Sequence, residues 1–220
     1  MRVYAGTAVE CRDGSGGEVA DLVVDPGQRR LTHLVVANRD RGYGSRLVPA
    51  DVMSAGHGHV VLSWTIEELL SAPQVEETGF LGSPVPRQGD DWSVGVVRLL
   101  PWPHYLAPAV IGYGQALEPA FEDESMSTFA MYDRIPAGTA EIRRVTPVVS
   151  KDDHVVGHVE GLVVDAGQTI TQLIIDRGHL WTHREMLIPT IEIESMETDR
   201  IRLRISRAGV ESSAFVMGRP

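Results

Sequence analysis

Chemistry in this chain would have to come from its histidines, its carboxylates, its arginines and a single thiol. The histidines fall in close pairs: His57/His59, His154/His158 and His179/His183. Two imidazoles at short spacing can begin a zinc site, but such a site needs three or four ligands. They also titrate between about pH 5 and 8, where they can bias an interface. His57-Gly-His59 reads as a hairpin tip, and His154 to His158 as a turn leading into a strand. Exposed turn histidines are the simpler account, so the pairs are weak metal candidates, and no metal or cofactor is expected. Cys11 is the sole cysteine, which excludes an internal disulfide. Arg200, Arg202 and Arg204 alternate with Ile201, Leu203 and Ile205. That pattern is the outer face of a strand, solvated or turned to an acidic partner. Glu118 to Glu124 holds four carboxylates and reads as a solvated acidic loop. Gly42-Tyr-Gly-Ser45 and Gly112-Tyr-Gly114 lack the strand-to-helix context of a phosphate loop. No serine–histidine–acid set is legible, so no catalytic residue is assigned and no enzyme is expected.

The elements that must position these residues come in two copies. Gly17-Glu-Val-Ala-Asp-Leu-Val-Val-Asp25-Pro-Gly-Gln28 and Gly157-His-Val-Glu-Gly-Leu-Val-Val-Asp165-Ala-Gly-Gln168 share eight identities at an offset of 140. Past Gln168 the offset drops to 139, because the second hairpin turn is one residue shorter, and Leu47-Val-Pro49 returns as Leu187-Ile-Pro189 at 140. Length changes confined to turns are what one small β unit used twice predicts. Val3 to Cys11 reads as an extended leading strand, repeated by Glu141 to Ser150, and Asp13 to Gly17 as a glycine turn. Val19 to Val24 reads as a strand whose strict alternation would bury Asp21. A one-residue bulge near Ala20-Asp21 would restore the phase, and Gly161 stands at the matching place. Asp25 and Asp165 precede tight turns, where aspartate caps backbone amides and Gly27 would supply a positive φ. Thr65-Ile-Glu-Glu68 matches a capping box, opening a short helix that stops before Pro73.

Between the copies the composition changes. Eight of the 13 prolines lie between residues 71 and 140. Trp92, Trp102, Tyr105, Tyr113, Phe121, Phe129 and Tyr132 lie among them. A disordered linker is poor in aromatics, so this segment is expected to be irregular but ordered, packed on the repeats. The expected division is a first barrel at 1–70, the Pro/aromatic-rich segment at 71–138, a second barrel at 139–210 and a tail at 211–220.

The 220 residues are 43% apolar and 23% charged, an ordinary globular balance. A formal net charge of −10 argues against broad nucleic-acid binding, which needs a positive face. The amino terminus has no apolar core of signal-peptide length, and no apolar run approaches a membrane span. A cytoplasmic location is therefore expected.

The repeated "G-x-V-x-x-L-V-V-D", "T-x-L-V-V" and "L-V-P-x-x-x-V" segments resemble the PRC-barrel family. They stand at Gly17–Asp25, Thr32–Val36 and Leu47–Val52, and again at Gly157–Asp165, Thr171–Ile175 and Leu187–Ile191. The resemblance implies an all-β fold of two small barrels. The family includes the cytoplasmic domain of the photosynthetic reaction-centre H subunit and the C-terminal domain of a ribosome-maturation factor. It therefore implies docking and assembly rather than catalysis. The expectation is a non-enzymatic binding module for an unidentified protein partner, with Trp92, Trp102, Tyr105, Arg200, Arg202 and Arg204 as contact candidates. The similar surfaces of the two copies could also pair between chains. The alternative is a ligand- or metal-responsive regulator using the histidine pairs.

Overall fold

The computed structural model describes residues 1–38, 43–81, 91–100, 128–177, 185–213 and 215–217. The chain is mostly strand. Its first part forms β1 (Arg2–Tyr4), β2 (Ala8–Cys11), β3 (Gly14–Asp25), β4 (Arg30–Asn38), β5 (Tyr43–Pro49), β6 (Met53–Ala55), β7 (Val60–Leu62) and the helix α1 (Ile66–Ser71). The middle supplies β8 (Glu76–Leu81), β9 (Trp92–Leu100) and β10 (Thr128–Pro136). The last part forms β11 (Ala140–Ile142), β12 (Pro147–Val149), β13 (Val155–Val164), β14 (Ile170–Asp176), β15 (Glu185–Pro189), β16 (Ile193–Met196), β17 (Ile201–Leu203), the helix α2 (Arg207–Ser213) and β18 (Phe215–Met217). No helix among the described residues is long and apolar enough to cross a membrane.

Two curled half-barrel sheets carry the fold. One runs β5-β4-β3-β2-β7-β6 and the other β18-β15-β14-β13-β12-β17-β16. Both follow the same strand order, and β18 adds a strand at the β15 edge. At the matching β5 edge, Leu47 N–H donates to Pro73 O and Val75 N–H to Ser45 O. After each short helix, then, the chain returns to cover the same sheet edge, which removes an open ladder.

The expected bulges are present, with register shifts between Val19 and Asp21 and between Val159 and Gly161. They turn Leu22, Val24, Leu162 and Val164 into the core, all at most 2% exposed. The capping box holds as well: Thr65 Oγ1 accepts from Glu68 N, and the Glu68 carboxylate accepts from Thr65 N. Two local expectations are corrected. Gly14 to Gly17 belong to β3 rather than to a turn. A Cβ at Gly16 would meet Cys11 Sγ at 3.0 Å and Leu69 at 3.1 Å, so glycine here lets strand and α1 approach closely. At the hairpin turns the positive φ falls on Arg29 and Gln168, not on Gly27. The aspartates cap as expected: Asp25 Oδ1 accepts from Gln28 N, and Asp165 Oδ1 from Gly167 N and Thr169 N.

The leading strands divide and cross between the sheets. β1 pairs with β13, setting Val3 opposite Leu162. β11 pairs with β3, setting Ile142 opposite Leu22. Val3 and Ile142 are 0% and 1% exposed. The two hairpin turns reach across in the same reciprocal way. Leu31 N–H donates to Gln168 O at 2.9 Å, and Ile170 N–H to Arg29 O at 2.8 Å. One hydrophobic core therefore contains Val9, Leu22 and Leu34 together with Val148, Leu162 and Leu173.

The described part of the middle is not irregular. β8, β10 and β9 form an antiparallel three-stranded sheet, with β10 central. Among the described residues, Pro73 precedes β8 and Pro136 ends β10, so neither interrupts a ladder, as suits a residue without an N–H. Val75 and Ile135 pack on Val23 and Val35, the outward residues of β3 and β4, in a second apolar cluster.

Candidate functional site

Where the three-stranded sheet meets β3 and β11, three carboxylates come together. Asp21 lies at the β3 bulge, Asp133 on the inward face of β10 and Glu141 on β11. All three are buried, at 9%, 2% and 0% exposure, and their ligand-capable oxygens lie within 4.8 Å of one another. The Arg143 guanidinium lies 3.8 Å from Asp133 and 3.9 Å from Asp21. Gly95 on β9 makes room for this packing, because a Cβ there would stand 2.2 Å from Glu141 Oε2. The Glu141 N–H donates to Thr198 Oγ1 at 3.3 Å, which ties the cluster to the β16–β17 turn.

With the bulge restoring the phase, alternation predicts an exposed Asp21. The bulge forms, and Asp21 is buried nonetheless, because Ile135 and Val75 bring the three-stranded sheet over the outer face of β3 while β11 pairs alongside it. Asp133 and Glu141 carried no motif. Asp133 was legible only through its phase with Ile135, two residues on in the same strand.

Charged groups in a dry setting require counter-charge, protons or metal. Arg143 supplies one positive charge. An all-oxygen set of Asp21, Asp133 and Glu141 is the kind that could hold a hard cation or share protons. Each residue comes from a different element, so the cluster joins the middle sheet to both ends of the chain.

The histidine candidates do not converge with these acids. His57 and His59 occupy the β6–β7 hairpin tip, and His59 Nε2 stands 3.2 Å from Glu10 Oε2. His154 Nδ1 lies 2.7 Å from Asp152 O in a turn, and His158 is an exposed residue of β13. His179 and His183 lie outside the described residues, as do Trp102, Tyr105, Gly112 to Gly114 and the run Glu118 to Glu124.

The arginine row does form an outer strand face, with Ile201 and Leu203 fully buried behind it. Its members are matched locally. Arg200 donates twice to Asp199 Oδ2, at 2.8 and 3.1 Å, and that hydrogen bonding holds the Asp199 carboxyl below its ordinary range. Arg202 pairs with Asp153 at 2.8 Å, and Arg204 Nε donates to Ile193 O.

Trp92 is the remaining candidate. Its ring stacks on Tyr132 with centroids 5.9 Å apart and planes at 21°. The Arg134 guanidinium sits 5.0 Å over the indole and 3.9 Å from Asp91. These side chains share the outer face of the three-stranded sheet, since Ser93, Asp133 and Ile135 on the other face are buried. No protein-family model matches the chain, and no curated protein matches it either.

Proposed function

We propose that this chain is a tandem PRC-barrel-type protein of the cytosol that works as a non-enzymatic binding or assembly module. Its partner is a protein, docked on the outer face of the three-stranded sheet. The observation that carries this reading is the Trp92–Tyr132–Arg134 stack. Half-buried tryptophan, tyrosine and arginine are the residue types that dominate interface energetics. Here they are held rigid on strands, so little conformational freedom is lost on docking. The repeated segments and the shared strand order of the two curled sheets support the tandem reading, with copies at 1–70 and 139–210. Under this reading the carboxylate cluster is a clamp that fixes the presenting sheet to its scaffold. The test uses the full chain as bait in a lysate of its native host. A protein retained by the wild type should be lost with Trp92→Ala and with Arg134→Ala, while both variants keep the wild-type melting temperature. Equal retention by the well-folded variants would overturn the reading.

A further inference from the structure

We propose a second contact point, a depression beside α1 that takes an arginine side chain from a basic segment of the partner. A cavity of about 450 Å³ lies there, lined by Trp64, Glu67, Glu68, Ser71 and Ala72. Trp64 packs partly against the common core, which fixes the indole. Glu68 is anchored by its bonds from Thr65 N and Thr65 Oγ1, at 2.7 and 3.1 Å. Glu67 is exposed and makes no ion pair among the described residues. Asp13 adds a third carboxylate at the start of the helix, accepting from Ile66 N at 2.8 Å, while Arg12 offsets part of this charge near Glu68.

An aromatic face beside carboxylates attracts a cation. The same molecule shows the combination filled: at Trp92 an arginine lies over the indole and beside Asp91. At Trp64 the indole and carboxylates are present, and no guanidinium covers the ring among the described residues. A planar guanidinium can stack and fork to a carboxylate at once, which an ammonium cannot.

The fold itself does not call for this set. In the second copy Ile205, Ala208 and Gly209 stand where the first has Trp64, Glu67 and Glu68. The contacts that start the helix survive there, with Ser206 Oγ accepting from Gly209 N and Asp152 Oδ1 from Arg207 N, but the indole and the counterparts of Glu67 and Glu68 do not. The chain's net charge of −10 would also steer a basic segment toward it.

This inference rests on the binding-module reading, yet it fails separately from it. The experiment titrates the full chain with acetyl-Gly-Arg-Arg-Gly-amide and with its citrulline counterpart, following the Trp64 indole N–H by NMR. The arginine peptide should shift that resonance saturably and the citrulline peptide should not. Glu67→Gln, at an exposed position, should weaken the peptide about fivefold. Trp64→Leu, which keeps apolar cover over the core, should abolish the peptide-induced shift at the Glu67 amide. Trp92→Ala should leave the titration unchanged, which separates this site from the outer face of the three-stranded sheet. Equal shifts with citrulline, or unaltered affinity in Glu67→Gln, would overturn the assignment. A Trp64 shift driven by protein concentration alone would name a second copy as the occupant and overturn it too.

Discussion

His33 is held in β4 with its Nδ1 buried and without a hydrogen-bond partner among the described residues. Burial pushes its pKa below 6.5, against the opposing pull of Asp51. The unfolded chain therefore takes up this proton first as the pH falls through 6.5. Stability is full above that value and declines toward the lower folded pKa. His33→Gln should flatten part of the fall in urea midpoint between about pH 7 and about pH 5; an unchanged slope would refute the assignment. Cys11 is a second residue whose surroundings fix its chemistry. It is buried, and burial, followed by Asp13 and Glu68, raises its thiol pKa. A disulfide reagent should label it at a negligible rate in the native protein and readily in denaturant, because the thiolate is the reacting form. Fast native labelling would contradict this placement. Arg143 offers the sharpest contrast, since its neighbour Arg144 is a surface residue. Arg143→Met leaves buried Asp21 and Asp133 without their guanidinium and should cost about 3 kcal/mol. Arg144, 64% exposed and 3.5 Å from Glu160, should cost under about 1 kcal/mol when changed to Met. Equal urea midpoints for the two variants would show that the cluster is balanced in another way.

At the scale of elements, β1 depends on a glycine 157 residues away from its last member. A Cβ on Gly161 would stand 2.3 Å from Val3 O and 2.9 Å from Tyr4 Cα, both backbone atoms that cannot swing aside. Gly161→Ala should therefore loosen β1 from β13 and destabilise the protein by about 1–3 kcal/mol. Hydrogen exchange at residues 2–4 should quicken more than exchange in β7, and uniform exchange would refute the coupling. Gly161 was legible in the sequence as a bulge position, but the strand that lies on it was not. Bulges, the capping box and the aspartate caps are local, set within a few residues, so spacing alone revealed them. The pairing of Val3 with Leu162 is not local. Both sheets offer nearly the same Leu-Val-Val strand, and alternation says which face a residue takes, not which sheet it joins. The middle sheet was hidden differently. The density of prolines reads as irregular chain, yet the two that fall among the described residues, Pro73 and Pro136, lie before a strand and at the end of one. The carboxylate cluster draws one member from each of three elements, and each alone resembles an ordinary outward acid on a strand.

At the scale of the molecule, the crossed strands decide how it should unfold. A unit of about 70 residues buries only about 60% of its unfolded surface and is marginal alone. Here each half also lacks a strand held by the other. Residues 1–72 would keep Val3 with no Leu162 to cover, and would expose Leu22 where Ile142 had been. Residues 137–220 would lose the reverse contacts. Fully burying one such aliphatic side chain is worth about 1.5–3 kcal/mol, and total stabilities are only about 5–15 kcal/mol. Losing Val3 and Ile142 together, with the reciprocal bonds between Leu31, Gln168, Ile170 and Arg29, is therefore comparable to the whole margin. The full chain should melt in one transition, with calorimetric and van't Hoff enthalpies in agreement. The separate fragments should melt well below it or aggregate, and mixing them should restore part of the lost protection at Val3 and Ile142. Fragments that melt as high and as sharply as the full chain would show that the crossed strands are incidental. Each sheet would then have to be stable on its own residues, and the core shared between Leu22 and Leu162 would contribute little to holding the halves together.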